Sequence, residues 1–479
     1  MNSAMIRKLA VAALSLLVAL LTFGISVASG ADSAPTVDWN ALDAEALGYF
    51  RSYLRFDTTN PPDNTAAAIS YIKGILDKAG IANQTFESKP GAVSLIAKLP
   101  GPPGLKPFLL LSHVDVVPAV AANWSHAPFS ADLDGGYVWA RGAIDNKAHG
   151  IMALMTLLAL KRQGIPLRRG VEMMINPDEE AGGENGADWM AANHWDAFDP
   201  AFAVNEGGVA SPDPFGGGSY VFNVSVTEKR VFWLHLTFHG HSGHGSLPIA
   251  DNPNLILINS LHRLLAAPPR YRVTPQMAEA FGILALHAPA QTSAELAHIN
   301  APGELEAAAR GPLAPYYLQA LIRDTIAPTM LNSGIKVNVI PSTAEAGLDV
   351  RLLPGTDAKA FLKRMREELG DPRVTIEVLQ TPSEAPPSPT SGECWNAIKK
   401  VVAADFTNAY VVPWMTAGGT DSRVLREHGV PAYGFVPVIL DKNELARIHG
   451  VDERLSVENL NRGIKATYDL TTELCAQRQ

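Results

Sequence analysis

Three consecutive acids, Asp178, Glu179 and Glu180, follow the apolar run VEMMIN and precede the glycine pair Gly182 and Gly183. Carboxylates crowded in this way repel one another unless solvent, a shared proton or a cation relieves them. A solvated acidic loop would satisfy that condition by itself. Four other polar clusters at the ends of apolar runs argue for a cation: SHVD at 112–115, AIDNK at 143–147, NEGG at 205–208 and IHG at 448–450. Together the clusters offer His113, Asp115, Asp145, Glu179, Glu180, Glu206 and His449. Two imidazoles with several carboxylates suit zinc, cobalt or manganese, and contain too much nitrogen for a typical calcium site.

The elements carrying these residues read as an α/β alternation. Apolar runs at 107–112, 171–175 and up to Glu206 suit buried strands, and open α/β sheets place their ligands at strand C-terminal ends. Helical patterns are expected over 41–54, 66–79, 147–163 and 185–193, with Gly80 and Gly164 as stops. The glycine-rich stretch SPDPFGGGS ends the first block, and runs at 221–228 and 231–238 read as antiparallel strands of a second domain. That domain continues with a helix at 252–265, an Ala- and Pro-rich stretch at 268–330, strands at 336–340 and 344–352, a helix at 357–369 and a strand at 373–379. TPSEAPPSPTSG then returns the chain to the first domain, because His449 has to rejoin the ligands supplied before residue 210. The expected organisation is a catalytic domain over 31–220 and 383–479, with a smaller α+β domain inserted over 221–382.

With 479 residues the chain exceeds what one core usually supports, and a formal charge of -9 argues against nucleic acid as a partner. Cys394 and Cys475 are too few for a disulfide scaffold, although one bridge between them is an alternative outside the cytosol. Arg7 and Lys8 precede a long apolar run that relaxes into SVASGADSAP. Residues 1–30 therefore read as a signal peptide cut near Ala31, with an uncleaved membrane anchor as the alternative. Either reading places the remainder outside the cytoplasm, in the periplasm or beyond.

His113-Val-Asp115, Gly142-Ala-Ile-Asp145-Asn-Lys147, Asp178-Glu179-Glu180, Asn205-Glu206-Gly-Gly208, Gly418-Gly-Thr-Asp421 and His449-Gly450 together resemble the M20 family of dizinc peptidases and amidohydrolases. The motifs occur in the family's order, and HVDVVPA…W…PF is most similar to the carboxypeptidase S and N-acyl-amino-acid hydrolase branch. The resemblance implies that His113 and Glu206 bind one zinc, that Glu180 and His449 bind the other, that Asp145 bridges them, and that Glu179 is the general base. Chemistry agrees with that division: a carboxylate can span two cations that one imidazole cannot, and adjacent glutamates can supply one ligand and one free base. Asp115, on the same side of an extended chain as His113, could orient that imidazole.

The implied reaction is hydrolysis of an amide or peptide bond beside a free carboxylate, as in a carboxypeptidase or an N-acyl-amino-acid amidohydrolase. Asn338, Arg351, Gly418, Gly419 and Thr420 are the expected substrate donors, with Arg351 offering a planar fork to the carboxylate. His244 in Gly243-His-Gly-Ser-Leu-Pro248 resembles the family's oxyanion donor, which in relatives reaches the site from the smaller domain, sometimes across a homodimer. Two other readings are a small-acyl deacylase of the acetylornithine or succinyl-diaminopimelate type, and a noncatalytic binding module on the same fold. The sequence leaves the acyl side of the substrate unassigned.

Overall fold

In the computed structural model, which describes residues 37–477, the strand Val171–Asn176 lies inside a nine-stranded mixed sheet. It pairs parallel with Phe108–His113 and antiparallel with Ala92–Leu99. Phe108–His113 pairs parallel with Phe202–Asn205, which in turn pairs parallel with Ala432–Gly434. Both Val171–Asn176 and Phe108–His113 are buried at every residue, as strands covered on both faces must be. Because three of these strands are parallel neighbours, their C-terminal ends deliver His113, the 178–180 acids and Glu206 to one edge of the sheet.

The helix Lys147–Gln163 is buried from Lys147 through Leu160 and packs on Phe108–His113 and on the closing helix Val457–Cys475. It ends at Gly164, whose φ of +61° is the left-handed conformation that glycine adopts at lowest cost. Ser456 caps the closing helix by accepting from Asn459 N.

A second, four-stranded antiparallel sheet has the order Thr325–Ser333, Thr343–Leu352, Arg230–His239, Val374–Val378. Burial alternates residue by residue along Thr343–Leu352, and the inward side packs on the helices Pro253–Ala266 and Ala358–Leu369. The architecture is an α/β sheet domain with a smaller inserted domain.

Three features depart from the sequence expectation. The strand Tyr220–Glu228 lies in the nine-stranded sheet, parallel to Ala409–Thr416, and does not form a hairpin with Arg230–His239. Its nearly continuous burial is the reason: it is covered on both sides, which a solvent-facing hairpin strand is not. The helices Pro275–His287, Ala290–Ala297 and Glu304–Arg310 share a core with Val221, Val412 and Met415, so they cover the large sheet and do not extend the small one. The strands Ala82–Lys89 and Thr325–Ser333 were unexpected; the first buries only Phe86 and so carries no hydrophobic alternation.

The chain crosses from one sheet to the other at Lys229, which is 1 % exposed. Its ammonium donates to Arg323 O and Thr325 Oγ1, both at 2.9 Å. Arg230 fastens the return crossing by donating to Ser383 O at 2.7 Å and Thr356 O at 2.8 Å.

The targeting segment expected at 1–30 lies outside the described residues. Among the described residues no helix is long and apolar enough to cross a membrane. Cys394 and Cys475 are free and buried, without the bridge considered between them.

Candidate metal centre

Asp145 stands between two histidines. Its Oδ1 is 3.0 Å from His113 Nε2, and its Oδ2 is 3.1 Å from His449 Nε2. Each histidine also faces its own glutamate: Glu206 Oε2 lies 3.4 Å from His113 Nε2, and Glu180 Oε2 lies 3.1 Å from His449 Nε2. Ligand atoms of His113, Asp145 and Glu180 lie within 4.8 Å of one another, as do those of His113, Glu179 and Glu206. The five expected metal ligands and Glu179 are therefore brought together.

The charges at this centre are out of balance in the way a cation would correct. Burial, followed by the charge of Glu206, pushes the Glu179 carboxyl well above the ordinary glutamate range. Burial and Asp145 push Glu180 up to about 7, and burial pushes Asp421 up to about 7. Hydrogen bonds to Asp145 and Glu180 raise His449 to about 10. Burial opposes a charged His113, but Glu206, Asp115 and Asp145 outweigh it and raise that imidazole well above its usual range. Glu180 Oε1 is buried without a hydrogen-bond partner among the described residues. Crowded acids that would otherwise hold protons, with an orphaned carboxylate oxygen among them, fit divalent cations.

The backbone around the clustered residues is held by two carboxylates with different duties. Asp115 accepts the backbone N–H groups of Glu179 at 3.2 Å and Glu180 at 3.1 Å, and the Asn60 amide at 2.9 Å. The expected partner of His113 therefore needs correction in detail: its Nδ1 lies 3.0 Å from the Asp115 carbonyl and 3.5 Å from the carboxylate. Either oxygen fixes the ring so that Nε2 faces Asp145. Glu453 holds the other loop, accepting from Ile144 N at 2.7 Å, Asp145 N at 3.1 Å, Gly142 N at 3.1 Å and Arg141 Nη1 at 2.6 Å. Asn146 donates to Glu206 Oε2 at 2.8 Å. Asp178, at φ +70°, and His449, at φ +59°, occupy the left-handed region, a strain that functional sites commonly carry.

Sequence reasoning missed Glu453, Asn60 and Asn146. Asn146 sits beside a candidate ligand and could have been weighed, whereas Glu453 and Asn60 act through backbone or carboxylate contacts that leave no spacing signature.

The expected substrate residues divide into two groups. Arg351, Gly418, Gly419 and Thr420 line a cavity with Glu179, Glu180 and His449. Arg351 is paired through Nε with Asp349 Oδ1 at 2.7 Å, and the Thr420 hydroxyl donates to Glu228 Oε2 at 2.9 Å. His244 and Asn338 line neither cavity at Glu179. His244 lies on a small ribbon in which Gly243–His244 pairs with Val339–Ile340, Asn338 is the turn residue just before the second strand, and both side chains are exposed.

A model of peptidase family M20/M25/M40 matches residues 109–473. The chain belongs to this family. It is 30% identical over 439 residues to aminoacylase-1 of Mus musculus, covering 89% of this chain and 94% of that protein. It is 31% identical over 375 residues to the N-fatty-acyl-amino acid synthase/hydrolase PM20D1 of Bos taurus, covering 77% and 74% of the two chains. The crystal structure of an M20 metallo-carboxypeptidase from Sulfolobus solfataricus superposes with a TM-score of 0.69 at 20% identity, covering 90% of this chain and 99% of that one. The M20 chain described here is thus a zinc-dependent metallopeptidase or amidohydrolase, related to the aminoacylase and carboxypeptidase S branch.

Proposed function

We propose that the M20 chain hydrolyses the amide bond of an N-acyl amino acid, or the last peptide bond of a peptide, next to a free carboxylate. The observation that carries this reading is Asp145, whose two oxygens face two histidines that each have a glutamate of their own. His113 and Glu206 would hold one divalent ion, Glu180 and His449 the other, and Asp145 both. Two zinc ions bound there would lower the pKa of a water and polarise the substrate carbonyl. Glu179 takes a proton from the attacking water and passes it to the leaving nitrogen. Asp115 keeps Glu179 in place through the Glu179 N–H. Arg351 reads the carboxylate from the inserted domain, exchanging its pairing with Asp349 for the substrate.

His244 and Asn338 fit this reading as donors supplied by a second copy of the chain. Support comes from their place outside the walls of the two Glu179 cavities and from the apolar surface near them. Met330, Leu331, Ile335 and Val337 are exposed on and beyond an edge strand of the inserted sheet, a surface that monomers rarely leave open. Sedimentation of the purified chain as a fully active monomer would remove this part of the proposal.

The zinc-reconstituted chain should release free amino acid from N-acetyl-leucine or from short peptides ending in a free carboxylate. Absence of turnover on every such substrate, with two metals bound, would favour a binding module. A strong preference for N-acetylornithine or N-succinyl-diaminopimelate would favour the small-acyl deacylase reading.

A further inference from the structure

The space in front of Glu179 has two arms. One contains Arg351, Trp233, Gln380 and Arg423, together with Glu179, Glu180 and His449. The other is a cavity of about 400 Å³ that starts at the same Glu179, Glu180 and His449 and runs back along the strand Ala409–Thr416. Its wall is formed by Ile144, Val209, Trp414, Val436, Leu445 and Ile448. Both arms share Gly418, Gly419 and Thr420. An amide held at the junction with its carboxylate toward Arg351 must therefore direct its acyl group into the second arm.

The charged residues lining the second arm are Asp145, Glu179, Glu180, Glu206 and His449, all at the metal end. Among the described residues no lysine or arginine lines it. Its remaining polar side chains are occupied: the Thr416 hydroxyl bonds to Gly207 O at 2.8 Å and Ser225 Oγ at 2.7 Å, and the Asn223 amide reaches Ser211 Oγ at 3.4 Å. A carboxylate on the far end of an acyl group would enter an apolar channel with no cation to meet it, which is costly. A peptide's α-ammonium would have to lose its hydration beside carboxylates already committed to metal. An uncharged aliphatic chain meets neither penalty and gains by leaving water.

We propose that this arm is an acyl site selective for uncharged aliphatic chains longer than acetyl, which makes the preferred substrates N-alkanoyl amino acids. The proposal rests on the amide-hydrolysis reading and deepens it on the side that Arg351 does not touch.

The test is kcat/KM of the zinc-reconstituted full chain on the N-acetyl, N-butanoyl, N-hexanoyl and N-succinyl derivatives of leucine, and on leucyl-leucine. Each added methylene should raise kcat/KM by about fourfold where it is fully buried, so hexanoyl should exceed acetyl by on the order of a hundredfold. N-succinyl-leucine, of similar length to the butanoyl compound but charged at its end, should be slower than both butanoyl and acetyl. A flat alkanoyl series, succinyl faster than butanoyl, or leucyl-leucine faster than hexanoyl-leucine would each overturn the acyl site. Turnover of the acetyl compound shows separately that the hydrolase reading stands, and loss of every activity with metal bound would sink that reading itself. Leu445→Arg places a cation in the arm and should shrink the hexanoyl-to-succinyl ratio by at least about tenfold. A folded, metal-loaded Leu445→Arg chain with an unchanged ratio removes this residue and its cavity from acyl recognition, and the unmutated series decides the matter if the variant does not fold.

Discussion

Glu179 and Glu180 share a backbone anchor in Asp115 and both line the cavity with Arg351, yet Glu180 faces His449 at 3.1 Å, while burial and Glu206 push the Glu179 carboxyl well above its ordinary range. Glu179→Gln should therefore keep two metals per chain and lose on the order of a thousandfold in kcat, whereas Glu180→Gln should lose a metal. Metal analysis alongside kcat distinguishes them, and near-normal turnover of the metal-loaded Glu179→Gln chain would reject Glu179 as the base. Arg351→Ala should cost roughly 2–5 kcal/mol in kcat/KM on the free acid and much less on the matching carboxamide, a coupling that a two-enzyme, two-substrate cycle measures. Equal losses on acid and amide would exclude a direct contact. The clustering of these residues was legible in the sequence because His113, Glu206 and the 178–180 acids each end an apolar run, and such a run announces a strand end. Glu453 was not legible, because it grips Gly142, Ile144 and Asp145 by their N–H groups, and a backbone donor has no residue type to recognise.

At the scale of elements, the central strands and the helix Lys147–Gln163 were readable from continuous apolar runs and a glycine stop. The assignment of Tyr220–Glu228 to a sheet was not, since a buried strand looks the same whichever sheet it completes. That strand leads into Lys229, the crossing residue, and burial lowers its ammonium to about 7. The unfolded lysine keeps its ordinary, higher pKa, so between about pH 7 and 10 the unfolded chain holds a proton that the folded chain has released. Stability contributed by this residue therefore rises with pH across that window and is flat below about 7, where both states are protonated. Lys229→Met abolishes this contribution. Denaturant unfolding of both chains should show the wild type gaining about 3 kcal/mol on the variant between pH 7 and 9.5. A constant difference across that range would mean that Lys229 stays charged in the crossing.

For the whole molecule, two divalent ions that bind only the folded chain should stabilise it by about 3 kcal/mol per site at a hundredfold excess over Kd. The thermal midpoint should accordingly fall by several degrees on chelation, and saturating zinc should titrate to two equivalents. A single equivalent would contradict the bridging role of Asp145. The segment over 1–30 predicts that protein from its native host starts near Ala31 outside the cytoplasm, which N-terminal sequencing would check; a start at Met1 in the membrane fraction would establish an anchor. The Asp145 loop carries one further consequence. Arg141 meets Glu453 across 312 residues of chain, and His449 reaches Asp145 and Glu180 from the same late stretch. A chain that stops between residues 435 and 448 keeps the large sheet's strands through Ala432–Gly434 but lacks both His449 and Glu453, the brace beneath Asp145. A product cut in that interval should therefore emerge unable to hold a pair of zinc ions, which metal analysis of the truncated chain would check.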